Sequence, residues 1–245
     1  MASPGISRGR KSYSRHARSF KATLGDISTE KVQADLTNPE TVQTAVRQSG
    51  AKAAFVYAIQ GILDVMRHTF VALKQGGIEF VVLLSSFLVQ GDLHATPPTD
   101  IIPDIHAKVE IALESVFGSR CSAVRPAYFA SNVLHYKDEI VQGEVKLPTP
   151  DAEFDWISPK DIGQVIGMAL AHGAQESSIP LVGPNRLSVK DALSIISRVL
   201  SKEIKITVVG KKQAVEDIQQ RGPVAKWFVE AVTGQRSFIP IVFYT

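Results

Sequence analysis

The sequence predicts an α/β fold, in which a parallel β-sheet carries helices on both faces. From residue 31 onward, short runs of β-branched apolar residues alternate with segments whose apolar residues recur at helical spacing. Most of the helical segments end at a glycine, which is a common way for a helix to stop. Of the 245 residues, 44% are hydrophobic, which is enough for one sizeable core or two small ones.

The first half of the chain predicts helices and strands in alternation. Asn38 is a good N-cap for a helix that starts at Pro39 and ends at Gly50. Strands are expected where β-branched and aromatic residues cluster, at residues 31–34, 53–58, 80–84 and 121–125. Two more helices are expected, at residues 64–75 and at about 105–116, the second after a proline-rich loop at residues 90–103.

The second half predicts two well-capped helices. Ser158 caps the first, with Pro159 at its first position and Gly173 after its last turn. Ser188 caps the second, and Asp191 stands three residues later, as in a capping box. Strands are expected on either side of this second helix, at residues 178–182 and 204–209.

Composition argues against several functional classes. No apolar run approaches the roughly 20 residues of a membrane-spanning helix, and no signal-peptide pattern opens the chain. The single cysteine, Cys121, has no partner for an internal disulfide, and the six histidines are not at metal-ligand spacing. We therefore expect a cytoplasmic protein with no metal and no membrane association, and a nuclear or mitochondrial location stays open.

The net charge of +3 is unevenly distributed. Residues 1–24 contain no acidic residue, which leaves 21 of the 27 basic residues against 24 acidic ones in the rest of the chain. Because the excess is confined to one terminal arm, we expect no nucleic-acid partner. The arm is interpreted first as a flexible basic segment, and alternatively as a remnant of a phosphate-binding strand or a transit-type presequence. Its basic residues are Arg8, Arg10, Lys11, Arg15, Arg18 and Lys21.

Several short phrases resemble the NmrA-like family of atypical short-chain dehydrogenases/reductases. They are VQADLT at 32–37, LLSS at 83–86, HAKVE at 106–110, RPAYFASN at 125–132, DWISPKDI at 155–162 and VTG at 232–234. Each phrase alone is weak, but their order and spacing over residues 30–238 make the resemblance fairly specific. It implies a Rossmann-like NAD(P)-binding core at residues 25–132 and a small substrate lobe at 133–245, preceded by the arm at 1–24.

The resemblance also implies a function. The expected activity is an NADP-dependent oxidoreductase that acts on a small conjugated carbonyl, quinone or imine, with the lid loop at residues 90–103 closing over the substrate. The alternative is a catalytically silent dinucleotide-sensing regulator that binds a protein partner. Typical short-chain dehydrogenases use a Tyr-x-x-x-Lys pair, and no tyrosine in this chain has a lysine four residues later.

The chain departs from the family at its start. Members begin with a strand, a G-x-x-G-x-x-G turn and a helix that hold the pyrophosphate, whereas the early glycines here are Gly5, Gly9 and Gly25. Arg15 and Arg18 are interpreted as relics of a site for the NADP 2′-phosphate. We expect weak NADP(H) binding and a sheet that lacks its central strand. An incomplete gene model is the favoured explanation, ahead of a strand supplied by another chain or a degenerate family member.

The same resemblance supplies the candidate site residues. Lys108 and Tyr128 are the implied catalytic positions. The residues implied to contact the dinucleotide are Asp35, Leu36, Ala58, Ile59, Ser85, Ser86, Lys108, Pro126 and Tyr128. Ser85 and Ser86 follow the most apolar strand, at the carboxyl end where open α/β sheets bind ligands.

Each candidate also has a structural interpretation. Lys108 borders the apolar stripe of its helix, with Glu110 and Glu114 expected to face solvent, so it equally fits a surface lysine. The position of Asp35 is equally typical of a carboxylate that stabilises a turn. The positions of Ser85 and Ser86 are typical of hydroxyls that form hydrogen bonds with backbone groups at the end of a strand. Tyr128 fits a core aromatic residue.

Overall fold

The computed structural model describes residues 32–59, 63–210, 212–214 and 216. The elements named below belong to one compact unit, Ala34–Ile241. Predictions for the basic arm at residues 1–24, for Arg15 and Arg18, and for the VTG phrase at 232–234 lie outside the described residues.

Helices and strands alternate along the described chain, as the sequence predicts. The α-helices are α1 (Pro39–Ser49), α2 (Arg67–Gly76), α3 (Ile101–Phe117), α4 (Lys137–Gln142), α5 (Pro159–His172) and α6 (Val189–Leu200), with 3-10 turns at Leu93–Ala95 and Ala130–Tyr136. The strands are β1 (Ala53–Tyr57), β2 (Phe80–Leu84), β3 (Cys121–Pro126), β4 (Tyr128–Phe129), β5 (Glu144–Leu147), β6 (Glu153–Ile157), β7 (Ser178–Leu181), β8 (Arg186–Ser188) and β9 (Lys205–Val208). Among these helices none is both long and apolar enough to cross a membrane.

A four-stranded parallel sheet in the order β1-β2-β3-β7 forms the centre of the core. Helices α2 and α3 share one apolar cluster with one face of this sheet, and α5 packs on the other face. The α/β prediction is therefore confirmed. The second half adds two smaller sheets, β4-β6-β8 and β5-β9, whose residues enclose a third cluster with α6.

The predicted helix caps form as expected. The Asn38 side chain accepts a hydrogen bond from the Glu40 amide at the start of α1, and Ser158 accepts one from the Asp161 amide at the start of α5. At α6, Ser188 and Asp191 satisfy each other's backbone amides in a full capping box. Each cap supplies an acceptor to a first-turn N–H group that has no partner within its helix.

Two helix starts and one strand differ from the prediction. Helix α3 begins at Ile101 rather than about residue 105, because Pro103 falls in the first turn, where its missing N–H group costs no hydrogen bond. The lid loop therefore ends at Asp100. Helix α2 begins at Arg67 rather than residue 64, since Val65 and Met66 adopt left-handed backbone angles. Residues 32–34 of the predicted first strand have no strand pairing.

Strand β1 is less buried than a central strand of a parallel sheet. It pairs with β2 along one edge, and in the described residues no strand lies along its other edge. Phe55 is 43% exposed and Tyr57 is 38% exposed, whereas Val56 on the opposite face is 3% exposed. The strand therefore forms as predicted, but one of its faces is incompletely covered.

Helix α5 contains two glycines, Gly163 and Gly167, four residues apart. The spacing of Gly163 and Gly167 would let another backbone approach closely, but a Cβ atom at either position would meet nothing within 4 Å. No close approach therefore uses these two glycines in the described part of the chain. We expect Gly163→Ala and Gly167→Ala each to stabilise the protein by about 0.5–1 kcal/mol, because alanine restricts the unfolded chain and favours the helix.

Urea unfolding of each variant against the wild type measures this stabilisation. Gly76→Ala, also a helical position, is the contrasting variant, since its Cβ would lie 2.7 Å from the Val46 Cβ where α2 meets α1. A loss of stability in Gly163→Ala comparable with that of Gly76→Ala would show that α5 is packed more tightly than the structure indicates.

Candidate functional site

The carboxyl ends of β1, β2 and β3 meet at one edge of the main sheet. Tyr57 is level with Leu84, and Leu84 is level with Val124, so the residues that follow them lie side by side. Most of the candidate residues are brought to this edge, namely Ala58, Ile59, Ser85, Ser86, Pro126 and Tyr128. Topology thus joins residues from three separate segments at the position where open α/β sheets bind ligands.

Asp35 and Leu36 lie in the turn that leads into α1. The Asp35 carboxylate accepts hydrogen bonds from the Thr37 amide at 2.9 Å and the Thr37 hydroxyl at 2.7 Å. The Leu36 carbonyl accepts one from the Thr69 hydroxyl of α2 at 2.7 Å. These contacts order the turn. Asp35 therefore has the role of a turn carboxylate, which is the structural alternative to a role in ligand binding. The exposed carboxylate retains further acceptor capacity for a ligand.

Ala58 and Ile59 follow β1 and pack against the core cluster on the α2 side. The Ile59 amide donates to the Met66 sulfur at 3.2 Å. Met66 is fully buried although its backbone φ is +67°, and the preceding Val65 has a φ of +47°. Left-handed angles are costly for a β-branched residue, so packing around Met66 holds this turn in place.

The hydroxyls of Ser85 and Ser86 are both engaged within the protein. Ser86 accepts a hydrogen bond from the Leu88 amide at 3.2 Å. Ser85 donates to a carboxylate oxygen of Glu110, which lies on α3. Both serines are buried. The contact of Ser86, with a backbone amide, is the one that the structural interpretation predicts, whereas Ser85 contacts a side chain.

Glu110 was predicted to face solvent, and this prediction is wrong. It is 2% exposed and forms a two-point ion pair with Arg125 of β3, at 3.1 Å from the arginine Nε and 2.6 Å from Nη2. Helical spacing places Glu110 beside Ala107 and Leu113, which are also buried, so the helix has a wider buried face than its apolar stripe indicates. Sequence reasoning missed this pair because its partners come from different elements.

Lys108 lies on the accessible side of the same helix. Its side chain is 52% exposed, and its Nζ atom is 2.7 Å from the Asp104 carboxylate one turn earlier. The border position predicted for Lys108 is therefore observed. The Asp104 side chain is only 13% exposed, so the ammonium group is held by a largely buried carboxylate and would have to leave it to contact a ligand.

Tyr128, on β4, lies in an aromatic cluster with two residues of β6. Its ring stacks on Phe154 with centroids 4.4 Å apart and meets Trp156 edge-on at 4.8 Å. Burial raises the pKa of the Tyr128 phenol, with a further rise from Tyr136, and the Asn132 side chain partly opposes it. A phenol with a raised pKa is a weaker proton donor, so the surroundings of Tyr128 disfavour acid catalysis.

The lid loop and the start of α3 line a cavity of about 200 Å³ that is open to solvent. The loop is shaped by a 3-10 turn at Leu93–Ala95, which the Asp92 carboxylate caps through the His94 amide at 2.9 Å. The lining combines apolar and acidic side chains and includes Leu88, Asp92, Thr96, Pro97, Asp100 and Pro103. No cluster of three metal-ligating side chains is found in the described part of the chain.

The described residues are compatible with the two ends of a nicotinamide dinucleotide but not with its pyrophosphate. Helices α2 and α3 begin at the ligand edge, but their N-cap residues are Met66 and Asp100. A carboxylate at the start of α3 disfavours a phosphate there. In the segments 32–59 and 63–210, therefore, neither helix start provides a glycine-lined cradle for the pyrophosphate. The apolar and small residues after β1 and β3 are compatible with the adenosine and nicotinamide ends.

The chain is similar to known proteins both in sequence and in fold. A family model described as the NmrA-like family matches residues 16–233. The chain is 35% identical over 211 residues to the nitrogen metabolite regulation-like protein bik4 of Gibberella fujikuroi, covering 77% of this chain and 64% of that protein. It is 25% identical over 119 residues to the prestalk A differentiation protein A of Dictyostelium discoideum, covering 46% and 40%. The chain thus spans under two thirds of the length of either relative.

Solved structures share the fold at low sequence identity. A triphenylmethane reductase of Citrobacter sp. complexed with NADP(H) superposes with a TM-score of 0.63 at 12% identity, covering 92% of this chain and 75% of that one. The NADPH-dependent quinone oxidoreductase QOR2 of Escherichia coli, complexed with NADPH, superposes with a TM-score of 0.61 at 14% identity, covering 79% and 67%. These similarities establish the Rossmann-like fold.

Proposed function

This chain belongs to the NmrA-like family, and from that premise we propose that it is an NADP-preferring oxidoreductase acting on a small conjugated carbonyl, quinone or imine. The observation that carries the proposal is the convergence of three strand ends beside α3, which holds both Lys108 and the base of a lidded cavity. The names of the structural neighbours, a quinone oxidoreductase and a triphenylmethane reductase, support the same class of acceptor.

In this proposal each candidate residue has a defined task. Asp35 and Leu36 contact the adenine, while Ala58 and Ile59 pack beneath the adenosine. Ser85, Ser86, Pro126 and Tyr128 shape the nicotinamide end, where the bound cofactor would supply a hydride. Lys108 binds the nicotinamide ribose or delivers a proton to the reduced acceptor.

The surroundings of Tyr128 determine which proton donor is proposed. Its phenol is buried and has a raised pKa, so the proton that accompanies the hydride comes from Lys108 or from solvent. A quinone or an activated double bond accepts a hydride directly and is protonated afterwards, which suits a site with a weak acid.

The proposal is tested by measuring NADPH oxidation with a panel of quinones and enones. We expect Lys108→Ala to lower turnover by about 10²-fold, the lower end of what a positioned proton-transfer group contributes. Lys160→Ala, an exposed lysine in the first turn of α5, is the matched control and should behave as the wild type. Equal turnover in Lys108→Ala and Lys160→Ala would remove Lys108 from the mechanism.

Cofactor binding is measured separately by calorimetry on the same 245-residue chain. Because the chain has no G-x-x-G-x-x-G turn, we propose that it binds NADP(H) weakly, and turnover is therefore assayed at high NADPH concentration. Micromolar binding would contradict this part of the proposal, since the phosphates would then be held by another part of the chain.

A second candidate function is a catalytically silent sensor of the dinucleotide that regulates a protein partner. The buried Tyr128 and the engaged serine hydroxyls favour it, because they leave few groups at the ligand edge available for chemistry. The name of the relative from Gibberella fujikuroi, which refers to nitrogen metabolite regulation, points in the same direction. Binding of NADPH without turnover on any acceptor would favour the sensor over the enzyme.

A further inference from the structure

A buried ion pair connects the ligand edge of the sheet to the base of the lid loop. Arg125 uses its Nε and Nη2 atoms on Glu110, and its Nη1 atom donates to the Val89 carbonyl at 3.3 Å. The same carboxylate accepts the hydrogen bond from the Ser85 hydroxyl. One carboxylate and one guanidinium thus link the end of β2, the middle of α3, the end of β3 and the residue before the lid loop.

The segment between Ser85 and Val89 is ordered around this pair. The Phe87 amide donates to the Pro126 carbonyl at 3.0 Å, and the Val89 amide donates to the Ser86 carbonyl at 3.0 Å. Val89 is 1% exposed, whereas Gln90 and Gly91 are exposed. Gly91 has a φ of +65° and open space around it. The change from buried to exposed chain therefore falls directly after the residue that Arg125 holds.

We infer that Glu110 and Arg125 are positioning residues that anchor the base of the lid loop, so that Ser85 to Val89 stay fixed to the sheet and the exposed part of the loop begins directly after them. A buried charged pair of this kind adds little net stability compared with apolar side chains of similar size, so stability alone does not explain it. The planar guanidinium of Arg125 binds both oxygens of the Glu110 carboxylate and also donates to the Val89 carbonyl. This geometry is suited to holding Val89 at a fixed position relative to β3 and α3.

The inference does not depend on which reaction the protein performs. It concerns where the lid loop is attached, and it holds equally for an enzyme and for a sensor. Its test accordingly uses amide hydrogen exchange rather than activity. The reporters are the amides of Phe87, Leu88 and Val89, because the first donates a hydrogen bond to Pro126 of β3 and the other two donate to Ser86.

Removing one member of the pair would leave the other buried and unpaired, and such a variant could fail to fold. The main test therefore replaces the network as a whole, by combining Glu110→Leu, Arg125→Met and Ser85→Ala, so that no buried charge or hydroxyl loses its partner. A second variant, Arg125→Lys, keeps the positive charge but cannot make the fork. Glu79→Gln breaks the exposed pair with Lys52 and is the control.

We expect the three reporter amides to exchange at least about tenfold faster in the triple variant and in Arg125→Lys, with the amides of β3 and α5 changed by less than about twofold. Glu79→Gln should leave all of them unchanged. Reporter amides that keep wild-type exchange rates would overturn the inference. So would a uniform acceleration throughout the chain, because the pair would then contribute only to global stability.

Discussion

Gly183→Ala is expected to destabilise the protein by at least about 3 kcal/mol. Gly183 lies in the loop between β7 and β8, where the chain crosses β6. A Cβ atom at this position would lie 1.5 Å from the Trp156 carbonyl oxygen and 2.4 Å from its carbonyl carbon. Both are backbone atoms of a paired strand, so the clash cannot be relieved by a side-chain rotation.

Thermal unfolding followed by circular dichroism measures the effect. For a chain of this size, a loss of this magnitude lowers the midpoint by roughly 6–12 °C. Gly210→Ala is the matched control, because a Cβ atom there has open space and the backbone angle is not left-handed. A Gly183→Ala protein that unfolds at the same temperature as Gly210→Ala would show that the loop does not cross β6 at this distance.

Acid is expected to destabilise the fold through His106, well above the pH at which carboxylates titrate. His106 is 1% exposed on α3, and burial lowers its pKa from 6.5 to about 4. Below pH 6.5 the unfolded chain gains a proton that the folded chain does not take up until about pH 4. The free energy of unfolding should therefore fall as the pH is lowered through this window, by about 3 kcal/mol in total.

The measurement is the free energy of unfolding in urea at intervals from pH 7 to pH 5. His106→Gln removes the titrating group and should flatten the slope in this range, whatever its effect on absolute stability. His94→Gln is the control, since His94 lies in the exposed lid loop, and it should keep the wild-type slope. An unchanged slope in His106→Gln would mean that other groups cause the acid sensitivity.

At the lower end of this window the carboxylates add to the effect. The pKa of Asp191 is lowered by its hydrogen bonds with Ser188 in the capping box of α6. The pKa of Glu144 is lowered by hydrogen bonds with Thr207 and Lys205, which join β5 to β9. Stability from carboxylates with a lowered pKa is present above their ordinary pKa and is lost as the pH falls through and below that value. The histidine contribution therefore begins at a higher pH, and the two contributions overlap near pH 4.

The candidate site was predictable in its location and less so in its contacts. The segment after β2 was expected at the ligand edge because the strand is strongly apolar and its carboxyl end faces the place where such sheets bind ligands. The network that engages Ser85 was not expected, because Glu110 lies 25 positions from Ser85 on another element and Arg125 lies a further 15 positions along the chain, on a third. A helical projection of α3 predicts one buried face, the apolar one. This helix contacts both the sheet and the lid loop, so a wider face is buried.

What the sequence determined by itself is what depends on neighbours within a few residues. Asn38, Ser158 and Ser188 cap helices through amides two or three positions away, and the run at Phe80–Leu84 is apolar enough to specify a buried strand. These local interactions are the same in any fold, so the element types and the α/β class could be derived without coordinates.

Tertiary structure decided what depends on segments distant in sequence. The burial of Glu110 required the guanidinium of Arg125 on another element, and the close approach at Gly183 required β6 to lie beneath its loop. The pairing of β4, β6 and β8 likewise joins segments whose individual patterns are short. Such contacts form only when the chain closes long loops, and their energies depend on geometry that no local pattern encodes.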